Sequence, residues 1–174
     1  MFVQMRRQEF DLLENTKLGE ACFEPIIRVY KMEQNLKNDK TVFYKRLTKG
    51  QQALFMFHVY YNHANKSLSE LYWWSAYFLA QPEIWSEIKV GLRYFKDDAM
   101  LLLLEEIEAV LKRHNHPSSL EEFTVSRDDL DRNQELIESI NTLNAMFHKI
   151  APLTLKRIGT HIRSNSDEFV QIKD

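Results

Sequence analysis

The sequence predicts an all-α fold, a compact single-domain helical bundle of about seven or eight helices, on three observations. Apolar residues recur at three- and four-residue steps along most of the chain, the period of one helix face. Two segments open with a capping pattern, Thr48 with Gln51 and Ser67 with Glu70, in which residues three apart satisfy each other's free amides. Only four glycines and four prolines occur in 174 residues, which starves the chain of the tight turns that a many-stranded β fold needs. With 44% apolar and 28% charged residues the composition is that of an ordinary globular protein. The length suffices for residues 1–174 to bury one core without disulfides or metal.

Residues 1–18 are expected to form an N-terminal amphipathic helix carrying Phe2, Met5, Leu12 and Leu13, ended by Gly19. From Glu20 to Leu36 a second stripe runs through Phe23, Ile26, Ile27 and Tyr30, with Pro25 in the first turn or two, where a missing amide costs least. Asn35 to Thr41 reads as a polar loop. Thr48 opens a helix that continues to about Ala64, and Ser67 launches the aromatic run Leu68 to Leu79, the expected central helix. Gln81 is pushed out of the helical region by Pro82, which then serves as the first residue of the helix carrying Ile84, Trp85, Ile88, Leu92 and Phe95. Asp97 and Asp98 meet the positive end of the next helix dipole, whose core face is Leu101, Leu104, Ile107, Val110 and Leu111. After a loop from Asn115 to Ser119, a long helix is expected from Asp129 to Ile150. Pro152 breaks it, Leu153 to Ile162 forms a last helix, and residues 163–174 make a polar tail.

Candidate chemistry starts with the six histidines, the usual mark of metal or acid-base sites. His58 and His63 are five apart, about 140° around a helix, which argues against a shared metal. His114 and His116 flank Asn115 as a loop pair that could clip zinc only with a third ligand; the plainer reading is an exposed loop. Arg157 and His161 stand four apart and approach the arginine–histidine spacing of helical-bundle nucleases, one residue short of it, while the same pair simply shares a helix face. No glutamate has a histidine three residues after it, so the carboxylate metal site of a bundle is not encoded. Gly-x-Ser-x-Gly and phosphate-loop patterns are missing too. No catalytic residue, metal or cofactor is therefore expected. Cys22 is the sole cysteine, reads as a small core residue, and suits a reducing cytoplasm. Arg6, Arg7 and Glu9 occupy the place where a secretory signal needs an apolar run, and no stretch reaches membrane-spanning length.

Two features point outward. Trp73 and Trp74 project about 100° apart on one helix, so either that helix is surrounded or one tryptophan faces a partner. Charge is also uneven. Asp97 to Glu138 holds twelve acids against four bases, a local charge of −8, which leaves +6 on the remainder of a chain whose net charge is −2. Such asymmetry steers a basic partner to one face, and Glu105, Glu106, Asp128, Asp129 and Asp131 are the residues expected to form it. The ordinary alternative is that these acids scatter and pair locally.

Leu47-Thr48 with Gln51-Gln52-Ala53-Leu54, then Asn65-Lys66-Ser67-Leu68, Glu70-Leu71-Tyr72 and, much later, Asp167-Glu168-Phe169 resemble, in order and spacing, a bacterial all-helical domain family of largely unknown function. One branch of that family is a DNA-mimic protein that binds a DNA-binding regulator through an acidic surface. The resemblance spans roughly Tyr30 to Phe169 and departs at Asn65-Lys66-Ser67, where the family shows an Asn-Gly-Gly turn. It implies a compact, non-enzymatic, homodimeric helical domain. The function expected is an intracellular protein-interaction module docking a basic protein partner, with no direct nucleic acid and no membrane. The alternative is a metal-dependent or nuclease-like helical-bundle enzyme using His114/His116 or Arg157/His161.

Overall fold

Thr48 begins the most thoroughly buried helix of the molecule. Its side chain accepts from the Gln51 amide at 3.1 Å while the Gln51 side chain accepts from the Thr48 amide at 3.2 Å, a complete capping box. The computed structural model describes residues 3–35 and 40–174, and among them the chain order is β1 Val3–Arg6, α1 Arg7–Leu12, α2 Asn15–Asn35, α3 Lys40–Lys45, α4 Lys49–Ala64, α5 Leu68–Leu79, α6 Pro82–Tyr94, α7 Asp98–Arg113, α8 Asp129–Arg132, α9 Gln134–Ser164 and β2 Val170–Lys173. The all-α class holds. Helix α4 is flanked by α2, α5 and α6, while α5 lies against α4, α6, α7 and α9. Leu54, Phe57, Tyr60, Leu71, Leu92, Leu104, Ile140 and Phe147 are each fully buried where these helices meet.

The second box is half built. Ser67 accepts from the Glu70 amide at 3.2 Å, but the Glu70 carboxylate turns away to Trp74 Nε1 and Arg127. Pro82 does occupy the first turn of α6. Helices α6 and α7 each end with a residue in the left-handed region, Lys96 at φ 54 and Asn115 at φ 56. In both, the next amide bonds five residues back, Asp97 to the Leu92 carbonyl and His116 to the Leu111 carbonyl, a helix stop that ordinarily uses glycine.

Several expected boundaries are corrected. The N-terminal helix of residues 1–18 is instead β1, α1 and the start of α2, with Gly19 inside α2; Met1 and Phe2 lie outside the described residues. The loop expected over Asn35 to Thr41 falls largely on Leu36 to Asp39, also outside them, while Lys40 and Thr41 already belong to α3. The long helix does not start at Asp129: α8 ends at Arg132, and the next residue, Asn133, caps α9 with its side chain through the Leu136 amide at 3.0 Å. Pro152 does not break α9, which runs 31 residues. An interior proline costs about 3 kcal/mol, but Pro152 is exposed, and its neighbours Phe147, Ala151, Thr154, Ile158 and Ile162 are buried along α2 and α7. Burying that stripe outweighs one lost hydrogen bond.

Residues 163–174 are no free tail. Arg163 ends α9 by donating to Asn15 Oδ1 at 2.6 Å, to the Phe10 carbonyl at 2.9 Å and to the Leu13 carbonyl. The chain then pairs β2 with β1 in parallel, Val3 opposite Val170 and Arg6 opposite Lys173. Alternation is the reason: Val3, Met5 and Val170 face inward and are buried, while Gln4, Arg6, Gln171 and Lys173 face out. Among the described residues no helix is long and apolar enough to cross a membrane.

Candidate functional site

The acidic stretch begins inside the fold. Asp97 is 2% exposed and caps α7 through the Met100 amide at 3.1 Å, with its other oxygen 3.7 Å from Arg157. Glu108 is internal to a cluster as well, accepting from Trp85 Nε1 at 2.7 Å, Lys89 at 2.8 Å and Lys112 at 2.6 Å. Burial raises its pKa, but the bonds from Lys112, Lys89 and Trp85 outweigh that and hold it at about 2.

The five acids singled out from the sequence divide into two kinds. Glu105 lies 3.7 Å from Arg93 across the α6 side of α7, and Asp129 accepts from the Ser126 amide at 2.8 Å and pairs with Arg132 at 3.6 Å. Glu106, Asp128 and Asp131 are exposed and carry no ion pair among the described residues. Helices α7 and α9 run antiparallel, since Asp97 meets Arg157 at one end and His114 meets Asn133 at 3.4 Å at the other. That brings α8, with Asp128 and Asp131, to the C-terminal end of α7, about 10 Å along the helix from Glu106. Counted over 97–138, eight exposed acids (Asp98, Glu106, Glu121, Glu122, Asp128, Asp131, Glu135 and Glu138) make no ion pair among the described residues, against Arg113 as the one such base of that stretch.

Trp73 and Trp74 part company as their spacing requires. Trp73 turns under the segment after α7, donating to the Val125 carbonyl at 3.0 Å, stacked on Tyr77 at 5.1 Å and edge-on to Phe123, with the Arg127 guanidinium 4.5 Å above its ring. Trp74 donates to Glu70 at 2.8 Å and stacks on His63 at 3.7 Å, along a broad cleft of ≈ 750 Å³ between α2 and α5. Both rings are half-buried. Trp73→Ala is expected to cost about 3 kcal/mol and to expose residues 115–128 to protease, because that indole is the segment's anchor. Trp74→Ala should cost less and leave the segment protected; limited proteolysis beside urea unfolding reads both.

The candidate pairs are packed into the fold, with the Nε2 atoms of His114 and His161 lacking a hydrogen-bond partner among the described residues. His116 uses both ring nitrogens, Nε2 with the Tyr72 hydroxyl at 2.8 Å and Nδ1 with the Leu111 carbonyl at 3.0 Å; burial lowers its pKa. Arg157 faces Asp97, whereas His161 lies among the rings of Tyr94, Phe95 and Phe169, with its pKa also lowered by burial. Among the described residues no group of three His, Cys, Asp or Glu is placed to hold a metal ion.

The motif residues behind the family resemblance touch each other. The Thr48 hydroxyl donates to the Glu168 carbonyl at 2.5 Å, the Glu168 carboxylate accepts from the Gly50 amide at 3.1 Å and the Tyr94 hydroxyl at 2.9 Å, and Gln51 donates to the Phe169 carbonyl at 3.2 Å. A carboxylate at a helix N-terminus is favoured by the dipole. These residues dock the C-terminal segment onto α4, which is a structural duty. Comparison with known proteins finds no family model, curated protein or solved structure that matches this chain.

Two features escaped the sequence. One is the pair of adjoining clefts over α4, the second of ≈ 650 Å³. The other is His58, 1% exposed with neither nitrogen hydrogen-bonded among the described residues.

Proposed function

We propose that this chain is a protein-interaction module that docks a basic protein partner through the acidic surface of α7, α8 and the start of α9. The observation that carries the reading is the excess of unpaired exposed acids over bases in 97–138. Internal ion pairs leave most of that stretch's negative charge facing solvent, where it raises the encounter rate with a cationic surface. The resemblance to a family with a DNA-mimic branch points the same way, and a cytoplasmic setting suits the lone buried thiol of Cys22. The proposal includes no cofactor.

Reversing Glu106, Asp128 and Asp131 together to lysine tests it. Proteins captured from a lysate of the source cells by the unmodified chain should be lost by the triple variant, and lost progressively as salt shortens the screening length below about 10 Å. The unfolding midpoint should hold, because exposed substitutions away from special contacts shift stability by only about 0.5 kcal/mol. Capture indifferent to both salt and charge reversal would sink the reading. The homodimer belongs to the same proposal: a monomer of this length has a radius of gyration of about 16 Å, and a clearly larger value in dilute solution supports self-association.

A further inference from the structure

The cleft of ≈ 650 Å³ lies beside α6 and is walled by the rings of Tyr30, Phe43, Tyr44 and Phe55, with Met56 and Ile84 completing its apolar lining. Phe43, Phe55 and Met56 are buried. The rings hold one another, Tyr30 edge-on to Phe55 at 5.2 Å and to Phe43 at 5.3 Å, and Tyr44 tilted to Phe55 at 6.5 Å. The size is that of a small-molecule site, which runs about 300–1,000 Å³.

Its charge is one-sided. Glu83 and Glu87, one helical turn apart on α6, line the cleft, and no lysine, arginine or histidine among the described residues does so. Glu87 accepts from the Tyr44 hydroxyl at 3.0 Å, which ties its carboxylate to the aromatic wall. Arg46 lies 5.5 Å from the Phe43 ring centre but is bonded to Glu33 at 2.5 Å and is not part of the lining. The neighbouring cleft differs, for Lys31 and Lys66 stand on its walls beside Glu20 and Glu24.

Aromatic faces are negative at their centres and attract cations, carboxylates add full charge, and an apolar floor rewards a hydrocarbon body. Among the described residues the lining offers an anion no cationic partner, and a neutral compound gains nothing from the carboxylates' charge. We infer that this cleft binds a small organic cation, an amine carried on an apolar body, with the hydrocarbon over Phe55 and Met56 and the ammonium between the tyrosine rings and Glu83 and Glu87. This site is separate from the acidic surface of α7 and α8, and neither depends on the other.

Three probes of one shape test it by calorimetry and ligand-observed NMR: 4-phenylbutylamine, 4-phenylbutanol and 4-phenylbutyrate. The amine should bind about tenfold tighter than the alcohol, as one desolvated cation–π and carboxylate contact allows, and the carboxylate probe weakest. Glu83→Gln with Glu87→Gln should bring the amine down to the alcohol's affinity while the thermal midpoint stays put. In the unmodified protein the amine's advantage should shrink as salt rises from about 0.05 to 0.5 M. Equal binding of amine and alcohol, a preference that survives the double substitution and high salt, or no binding of either at millimolar concentration would each overturn the inference.

Discussion

Replacing Gly159 with alanine is expected to destabilise the protein by roughly 3 kcal/mol, the upper end for an overpacked contact. A Cβ at Gly159 would stand 1.9 Å from the Asn15 carbonyl oxygen and 2.5 Å from its carbon, distances no side-chain adjustment can relieve because both partners are backbone. The helices α2 and α9 would have to separate where the Asn15 side chain is doubly held, its Nδ2 donating to Thr160 Oγ1 at 3.0 Å and its Oδ1 accepting from Arg163 Nε at 2.6 Å. Arg163 in turn holds the Phe10 and Leu13 carbonyls, so the strain passes to the N-terminal segment. Gly19→Ala is the control. There the new Cβ meets the His58 and Ile158 side chains at 2.9 and 3.2 Å, groups that can shift, so the loss should be smaller. In an exposed helix the same change would gain about 1 kcal/mol, which makes the sign decisive. Urea unfolding that finds Gly159→Ala as stable as the unmodified chain would mean that α2 and α9 do not approach this closely.

These glycines show what was legible in the sequence. Glycine poverty rightly excluded a many-stranded sheet. Its further meaning was hidden, because the glycines serve helix contacts and the turns after α6 and α7 fall to Lys96 and Asn115. Features written within three or four residues were readable: the Thr48 box, Ser67 as a cap, Pro82 at the start of α6. Features that need partners far along the chain were not. Val3 to Arg6 alternates over only four residues, too short to read as a strand, and its partner begins at Val170. Pro152 looked like a stop because its cost is local, whereas the burial of Phe147, Ala151 and Ile158 that offsets it is tertiary. The acid excess was countable, but not that Asp97 and Glu108 are internal while Glu106, Asp128 and Asp131 face solvent. Tyr30, Phe43, Phe55 and Glu87 come from four helices, so the cleft they line has no signature in any one segment.

Acid is expected to weaken the fold through His58. Burial holds its pKa at about 4, against 6.5 for an unperturbed histidine, because the ring lies 5.0 Å from Phe23 and among Phe57 and Tyr61 with no partner for either nitrogen among the described residues. The folded state therefore favours the neutral ring. Above pH 6.5 both states are neutral at this site and it imposes no proton-linked cost. As pH falls, the unfolded chain takes up a proton that the folded chain refuses, and by about pH 4 the accumulated loss is roughly 3 kcal/mol, at about 1.4 kcal/mol per unit of pKa difference. His63, His116 and His161 are shifted the same way, so the unmodified protein's acid sensitivity is shared. His58→Leu isolates this residue's part: urea midpoints at pH 7.5, 5.5 and 4.5 should show the variant gaining on the unmodified chain as pH drops. It should be no less stable at pH 7.5, since the substitution also removes two unsatisfied buried nitrogens. A difference between the two proteins that stays constant across that range would mean that His58 is hydrated or hydrogen-bonded in solution, and that the junction of α2, α4 and α9 is looser than its packing implies.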